Sequence, residues 1–335
     1  MKEMGGEFWE IEQCCNPSCW WNNYPGEIRY YMSGRTAIDA VVKDIKLATN
    51  KTKFKVCLPK YCCDSMVFPF SNQGIEIGYY DSIETVKNNF DVILVLEYFG
   101  FQKESFDECI RNLKANGKIV IQDVTHSLLQ ERPYVDEANY IIGSFRKWTR
   151  MTNGGFAAKR GEFCYPQEIG VNTDFSKKRI DAANLKFRYM HGETIQKSTF
   201  LEGFKLAEEY LETKYIGYCM DQESIDAINQ WDISYVIDKR RENAHYLYNN
   251  LKNVNFMYEF SSGSTPLFVP ILFDDSLKRD SIRQYLISKD IYCPVHWPNA
   301  YPICDLELSL ICDQRYSLED MKYEVELINN FLEGS

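Results

Sequence analysis

KIVIQDVTHSLLQERPYVDEANYIIGSFRK, residues 118–147, is the stretch on which the fold turns. It holds two short runs of β-branched and apolar residues, KIVIQDV (118–124) and YIIGSF (140–145), each long enough for a buried strand. Each run stops at polar side chains: Asp123, Thr125 and His126 after the first, and Ser144, Arg146 and Lys147 after the second. Towards the N-terminus the same signal recurs in FKVCLP (54–59), IEIGYYD (75–81) and DVILVLEYFG (91–100). Helical patterns lie between these runs. TAIDAVVKDIKLA (36–48) sets Ile38, Val41, Val42 and Ile45 on one face, and ESFDECIRNLKANG (104–117) ends on Gly117, a helix-stop residue. Strands alternating with helices predict an α/β chain whose large domain has three layers around a mostly parallel central sheet.

Towards the C-terminus the pattern changes. Beyond about residue 170 the sequence reads as long helices, around Phe200 to Lys214 and from Ser234 to Lys252. Strand signals return in TPLFVPILF (265–273) and IYCPVHWP (291–298), which flank the helical DSLKRDSIRQYLISKD, and a last helix covers Leu318 to Leu332. That order predicts a smaller C-terminal α/β domain, with residues 1–235 forming the large domain and 236–335 the small one. A length of 335 residues fits two domains of ordinary size.

Composition narrows the partners. The 38 Lys and Arg against 48 Asp and Glu leave a net charge of -10, which repels nucleic-acid backbones and anionic membranes. The purely aliphatic run Val92 to Leu96 falls far short of the roughly 20 residues that span a bilayer. The opening MKEMGGEFWEIEQ lacks the apolar core of an export signal, so a cytoplasmic location is expected and the 12 Cys are expected as reduced thiols. No C-x-x-C occurs and the four His are far apart in sequence, so no metal site is expected.

In open α/β sheets, ligands bind at the carboxyl ends of the strands. Asp123 closes one strand run and Ser144 to Lys147 close the next, while Ser33, Gly34, Arg35 and Thr36 open the first strong helix. Each has an ordinary reading alone: a turn carboxylate, a solvated lysine, a helix cap. Together, a carboxylate, an amine and a Gly/Thr helix start are what pyridoxal phosphate requires. The amine condenses with its aldehyde, the carboxylate keeps the pyridine nitrogen protonated, and the helix start receives the phosphate. A dinucleotide-type Rossmann protein would need a G-x-G-x-x-G loop, and none is present.

At this point the chain resembles the DegT/DnrJ/StrS family of pyridoxal-phosphate enzymes, a branch of the fold type I aminotransferases. SGRTAIDAVV (33–42) resembles the family's phosphate-binding helix start, LPKYCCDSM (58–66) its P-x-[YF] segment, and IGYYD its next strand. IVIQDVTH (119–126) is similar to the E-D-x-A-[QH] motif, and GSFRKWTRMTNGGFAA (143–158) to the motif carrying the Schiff-base lysine. RRENAHYLYNNL (240–251), the region through PVHWP, and DQRYSLEDMKYEVELINNF (313–331) resemble the family's small domain.

The resemblance implies that Lys147 bonds the cofactor, that Asp123 faces the pyridine nitrogen, and that His126 meets the phenolic oxygen or ring. It implies Gly34, Arg35, Thr36 and Ser144 around the phosphate and Tyr61 over the ring face. It further implies a homodimeric aminotransferase that takes an amino group, with glutamate the expected donor, to a keto acceptor, commonly a nucleotide-linked keto-sugar. Family members that dehydrate sugars carry His at the lysine position, and Lys147 favours transamination. Two departures stand out: Lys147 lies closer to Ser144 than in S-F-H-x-x-K, and YIGYCMDQES (215–224) replaces the family's G-Y-N-x-R segment. The second departure keeps open a pyridoxal-phosphate protein without sugar transamination, regulatory or acting on a different substrate.

Overall fold

The computed structural model describes residues 3–15, 17–297 and 305–334, so Pro298 at the end of the run 291–298 lies outside the described residues. In chain order the strands are β1 (Met4–Gly5), β2 (Glu27–Tyr31), β3 (Lys55–Pro59), β4 (Glu76–Tyr80), β5 (Val92–Leu96), β6 (Ile119–Asp123) and β7 (Tyr140–Ser144). They continue as β8 (Gly155–Lys159), β9 (Gly170–Val171), β10 (Tyr218–Cys219), β11 (Asn255–Phe256), β12 (Val269–Leu272), β13 (Ile291–Tyr292) and β14 (Glu307–Leu310). The α-helices are α1 (Gly34–Thr49), α2 (Asp64–Asn72), α3 (Glu104–Ala115), α4 (Thr173–Met190), α5 (Lys197–Thr213), α6 (Gln222–Ile228), α7 (Ile233–Asn250), α8 (Ser276–Ile287) and α9 (Leu318–Glu333).

A sheet in the order β4-β3-β5-β6-β7-β8-β2-β10-β9 forms the large unit. Its strands run parallel from β4 to β7, and β8 and β2 are antiparallel to their neighbours. Every residue of β5, VILVL, is buried, as a strand covered on both faces must be. On one face α1 and α2 pack Val41, Ile45, Met66 and Phe70 against Val56, Leu94 and Ile121. On the other, Phe106 and Ile110 of α3 meet Ile93, Val95 and Val120. The alternation of strand residues between two helical layers gives the predicted three-layer α/β architecture. β2 and β8 were not predicted; GFAAK in β8 is built of small residues with little strand preference.

The smaller sheet, β11-β12-β14, carries α7, α8 and α9. Its apolar core unites Val269, Ile271, Leu308 and Leu310 with Leu247, Ile282, Leu286, Met321 and Ile328. Met4 and Trp9 join that core from the other end of the chain. There β1 pairs in parallel with β13, and Gly5 N–H donates to Tyr316 Oη at 2.6 Å. The segment then crosses to the large unit, where Glu10 O accepts from Arg150 N and Glu12 O from Asp232 N. Residues 3–12 thus strap the two units together. Among the described residues no helix is long and apolar enough to cross a membrane.

Candidate active site

The carboxyl ends of β6 and β7 lie side by side, with Asp123 in register opposite Ile142 and Ser144 ending the neighbouring strand. After β7 the chain makes a single 3-10 turn, Phe145–Lys147. The turn is pinned from both sides: Phe145 N–H donates to Gly154 O at 2.8 Å, and Trp148 Nε1 donates to Thr125 O at 2.7 Å. The second bond ties the lysine turn to the turn that follows Asp123. Lys147 itself is exposed, and among the described residues its ammonium makes no hydrogen bond or ion pair. Its charge is felt at Glu7, His126 and Glu208, which places it between a buried ion cluster and the end of β6.

Asp123 is buried, and burial pushes its carboxyl above the usual range although Thr125 N–H donates to it at 2.8 Å. It meets no cation among the described residues. A buried carboxylate without a counter-charge is costly unless a ligand supplies one, and a protonated ring nitrogen would.

His126 is buried too. Burial first, then the charges of His296 and Lys147, hold its imidazole well below its ordinary range, so it is neutral at pH 7. Phe99 N–H donates to Nδ1 at 3.2 Å, which leaves the proton on Nε2 as a donor. That amide is aimed by a left-handed pair, Phe99 at φ 55 and Gly100 at φ 81. A side chain on Gly100 would strike Thr265 O at 1.9 Å, so the turn accepts only glycine.

α1 begins beside this rim. Ser33 is its N-cap, and its Oγ accepts from Thr36 N at 3.2 Å. Thr36 Oγ1 donates to Tyr215 O at 2.8 Å, so its hydroxyl is committed within the chain. Gly34 lies against Ser144, a Cβ at position 34 standing 3.6 Å from Ser144 Cβ, and the Ser144 side chain caps nothing. The Gly34 and Arg35 N–H groups belong to the first turn of the helix and have no intrahelical acceptor. The Arg35 side chain turns away, with Nη1 3.4 Å from Leu211 O and the guanidinium 5.5 Å from the Tyr215 ring. An anion at Gly34 would therefore meet backbone N–H groups, the Ser144 hydroxyl and the positive end of the helix dipole.

Tyr61 follows β3 and is buried among aromatic rings, 4.9 Å from Tyr98 and 4.6 Å from Trp297. Trp297 stacks nearly parallel to His126, with 6.0 Å between centroids and 7° between planes. Asp123, His126, Ser144, Lys147 and Gly34 are thus brought to one rim. Tyr61 stands beside it, while the Thr36 hydroxyl and the Arg35 guanidinium face their own chain.

Two further residues shape the rim. Trp297, in the PVHWP segment, lies against both His126 and Tyr61. Gly155, across the sheet from Ser144, would drive a Cβ to 2.0 Å from Ser33 O. The paired glycines of TNGG are the sequence signal for that close approach.

No protein-family model matches the chain, and no curated protein matches it by sequence. Solved structures do. PseC of Helicobacter pylori, an aminotransferase involved in the biosynthesis of pseudoaminic acid, superposes with a TM-score of 0.65 at 14% identity, covering 98% of this chain and 100% of that one. The chain has the fold of the fold type I aminotransferases. The sugar aminotransferase CalS13 of Micromonospora echinospora gives 0.59 at 12% identity, over 90% of this chain and 87% of its own. The E. coli GDP-4-keto-6-deoxy-D-mannose-3-dehydratase, solved with hydrated PLP bound, gives 0.63 at 15% identity, over 92% and 89%.

Proposed function

We propose that the chain is a pyridoxal-phosphate-dependent aminotransferase of the DegT/DnrJ/StrS type, passing an amino group from glutamate to a nucleotide-linked keto-sugar. We place it in the cytoplasm as a homodimer. The observation that carries the reading is Asp123: a buried carboxylate without a counter-charge, on the same rim as a free lysine and an open helix start. The residues fit the group, since a pyridinium, an aldehyde and a phosphate would each find a partner there.

When bound, the cofactor supplies a conjugated electron sink for charge developing at the substrate carbon. Asp123 would hold the proton on the ring nitrogen. Lys147 Nζ would anchor the aldehyde carbon and, once released by the donor amine, carry the proton taken from the substrate carbon. His126, neutral with its proton on Nε2, would donate to the phenolic oxygen. Gly34, Arg35 and Ser144 would hold the phosphate through two backbone N–H groups and one hydroxyl. Thr36 would contribute through its place in the first turn, and Tyr61 would close the ring face.

The test has two arms: borohydride reduction of the protein mixed with pyridoxal phosphate followed by peptide mapping, and addition of glutamate to a separate, unreduced sample of the cofactor-loaded protein. A stable adduct on Lys147 that is lost in Lys147→Ala, with 2-oxoglutarate released on adding glutamate, is the expected result. An adduct that survives in Lys147→Ala overturns the assignment. An adduct on Lys147 with no amino-acid turnover favours the non-transaminating alternative. That alternative draws on residues 215–221, where Tyr215 O accepts from Thr36 of the same chain and Met220 N–H donates to Tyr30 O.

A further inference from the structure

Beside Lys147 lies a four-membered ion cluster that the reading above does not use. Arg146, the residue before the lysine, pairs with Glu208 of α5. Arg179 of α4 donates to the same Glu208 oxygen at 2.7 Å and to Glu7 at 2.9 Å. The two arginines are fixed and dry, with 13% and 6% of their side-chain surface exposed. Burial raises Glu7 and Glu208, but Arg179 and Arg146 outweigh it, bringing Glu7 down to about 2 and lowering Glu208. Both carboxylates are therefore charged at pH 7.

The two acids differ in attachment. Glu208 bridges both guanidiniums from within a helix, whereas Glu7 reaches Arg179 alone, from the strap; both acids keep a part of their side chain in solvent, 39% for Glu7 and 46% for Glu208. Arg146 also has a buried Nε without a partner among the described residues. Removing Glu7 would leave two guanidiniums against one carboxylate, beside the Lys147 ammonium. A buried imbalance of that sign takes up an anion, and paired guanidiniums favour a carboxylate.

We propose that Arg146 and Arg179 form the subsite for a carboxylate of the amino donor, and that Glu7 occupies this subsite in the free chain and is displaced when the donor binds. The proposal rests on the aminotransferase reading and deepens it. The donor it selects is an amino acid whose carboxylate replaces that of Glu7 one for one, so the charge of the cluster is conserved. Because Glu7 lies on the strap, displacement also loosens a contact between the strap and α4.

The experiment is calorimetric titration of the cofactor-loaded chain with glutarate, a dicarboxylate that has no amino or keto group to react. Glu7→Gln is expected to bind glutarate about fivefold or more tightly than the parent, because the internal competitor is gone. Arg179→Lys, which keeps the charge and loses the fork, is expected to bind it about tenfold more weakly. Equal or weaker binding by Glu7→Gln with an unchanged melting curve overturns the proposal, as does the absence of glutarate binding in parent and variant alike. Should Glu7→Gln melt early, Glu7→Asp keeps the charge on a shorter arm, and tighter glutarate binding is again expected. If the chain takes up no pyridoxal phosphate, the aminotransferase reading falls, and the same titration of the cofactor-free chain still decides whether Glu7 guards an anion site.

Discussion

Gly155 shows how one missing methyl group sets the distance between two elements. Its Cα faces the Ser33–Gly34 peptide so closely that a Cβ would lie 2.0 Å from Ser33 O and 2.7 Å from Gly34 N. Both neighbours are backbone, so neither can rotate aside. Gly155→Ala should cost about 2–3 kcal/mol of stability in urea unfolding, and should weaken phosphate and pyridoxal phosphate binding by moving α1 from Ser144. A variant with parental stability and affinity would show that the two elements slide apart freely.

At this scale the sequence made positions legible, and contacts less so. Asp123, Ser144 and Lys147 stand out because apolar strand runs stop at them. The Thr36 hydroxyl also stood out, yet it is committed to Tyr215 O, 179 residues away in sequence, and no local pattern carries that bond. Trp297 and Glu7 are silent for the same reason: each reaches the rim from a distant segment.

Among elements, α9 holds the clearest pH sensor. Glu324 is fully buried, hydrogen-bonded to Ile311 N–H at 3.3 Å and to the Cys293 thiol at 3.5 Å, and burial pushes its carboxyl up to about 8. The folded chain therefore holds a proton there that the unfolded chain releases above its ordinary value of 4.5. Stability should fall as pH rises from about 4.5 to 8 and flatten beyond. Glu324→Gln should remove that slope, measured as denaturation midpoint against pH, and a slope that persists would assign it to another group.

The strongest elements were those most legible in sequence. β3, β5, β6 and β7 carry continuous apolar runs because both faces are covered, and α1 carries a clean apolar stripe. β2 hid because EIRYY is short and carries charged Glu27 and Arg29 within it, and β9 and β10, at two residues each, are too short to leave a period.

For the whole molecule, the strap is the feature that joins its parts. We propose the division between large and small domains near residue 235, in the first turn of α7, and the strap bridges it from the opposite end of the sequence. Trp9 is buried in the small-sheet core, with the Arg315 guanidinium 4.4 Å from its ring and the Lys186 ammonium at 5.0 Å. Trp9→Ala should destabilise the chain by about 3–5 kcal/mol and raise hydrogen exchange at Ile291 and Tyr292, the strand paired with β1. Exchange there that stays at the parental rate would mean that β13 does not depend on the strap.

The bond between Gly5 and Tyr316 spans 311 residues. Synthesis on the ribosome runs from the N-terminus, so residues 3–12 emerge well before β13 and α9, against which they finally lie. The central sheet can assemble while this stretch waits unmatched, with Trp9 uncovered until the last helix is made. Nascent chains halted at residue 290 should therefore remain open to proteases at the front while their middle already resists, and release of the following 45 residues should close both ends in one step.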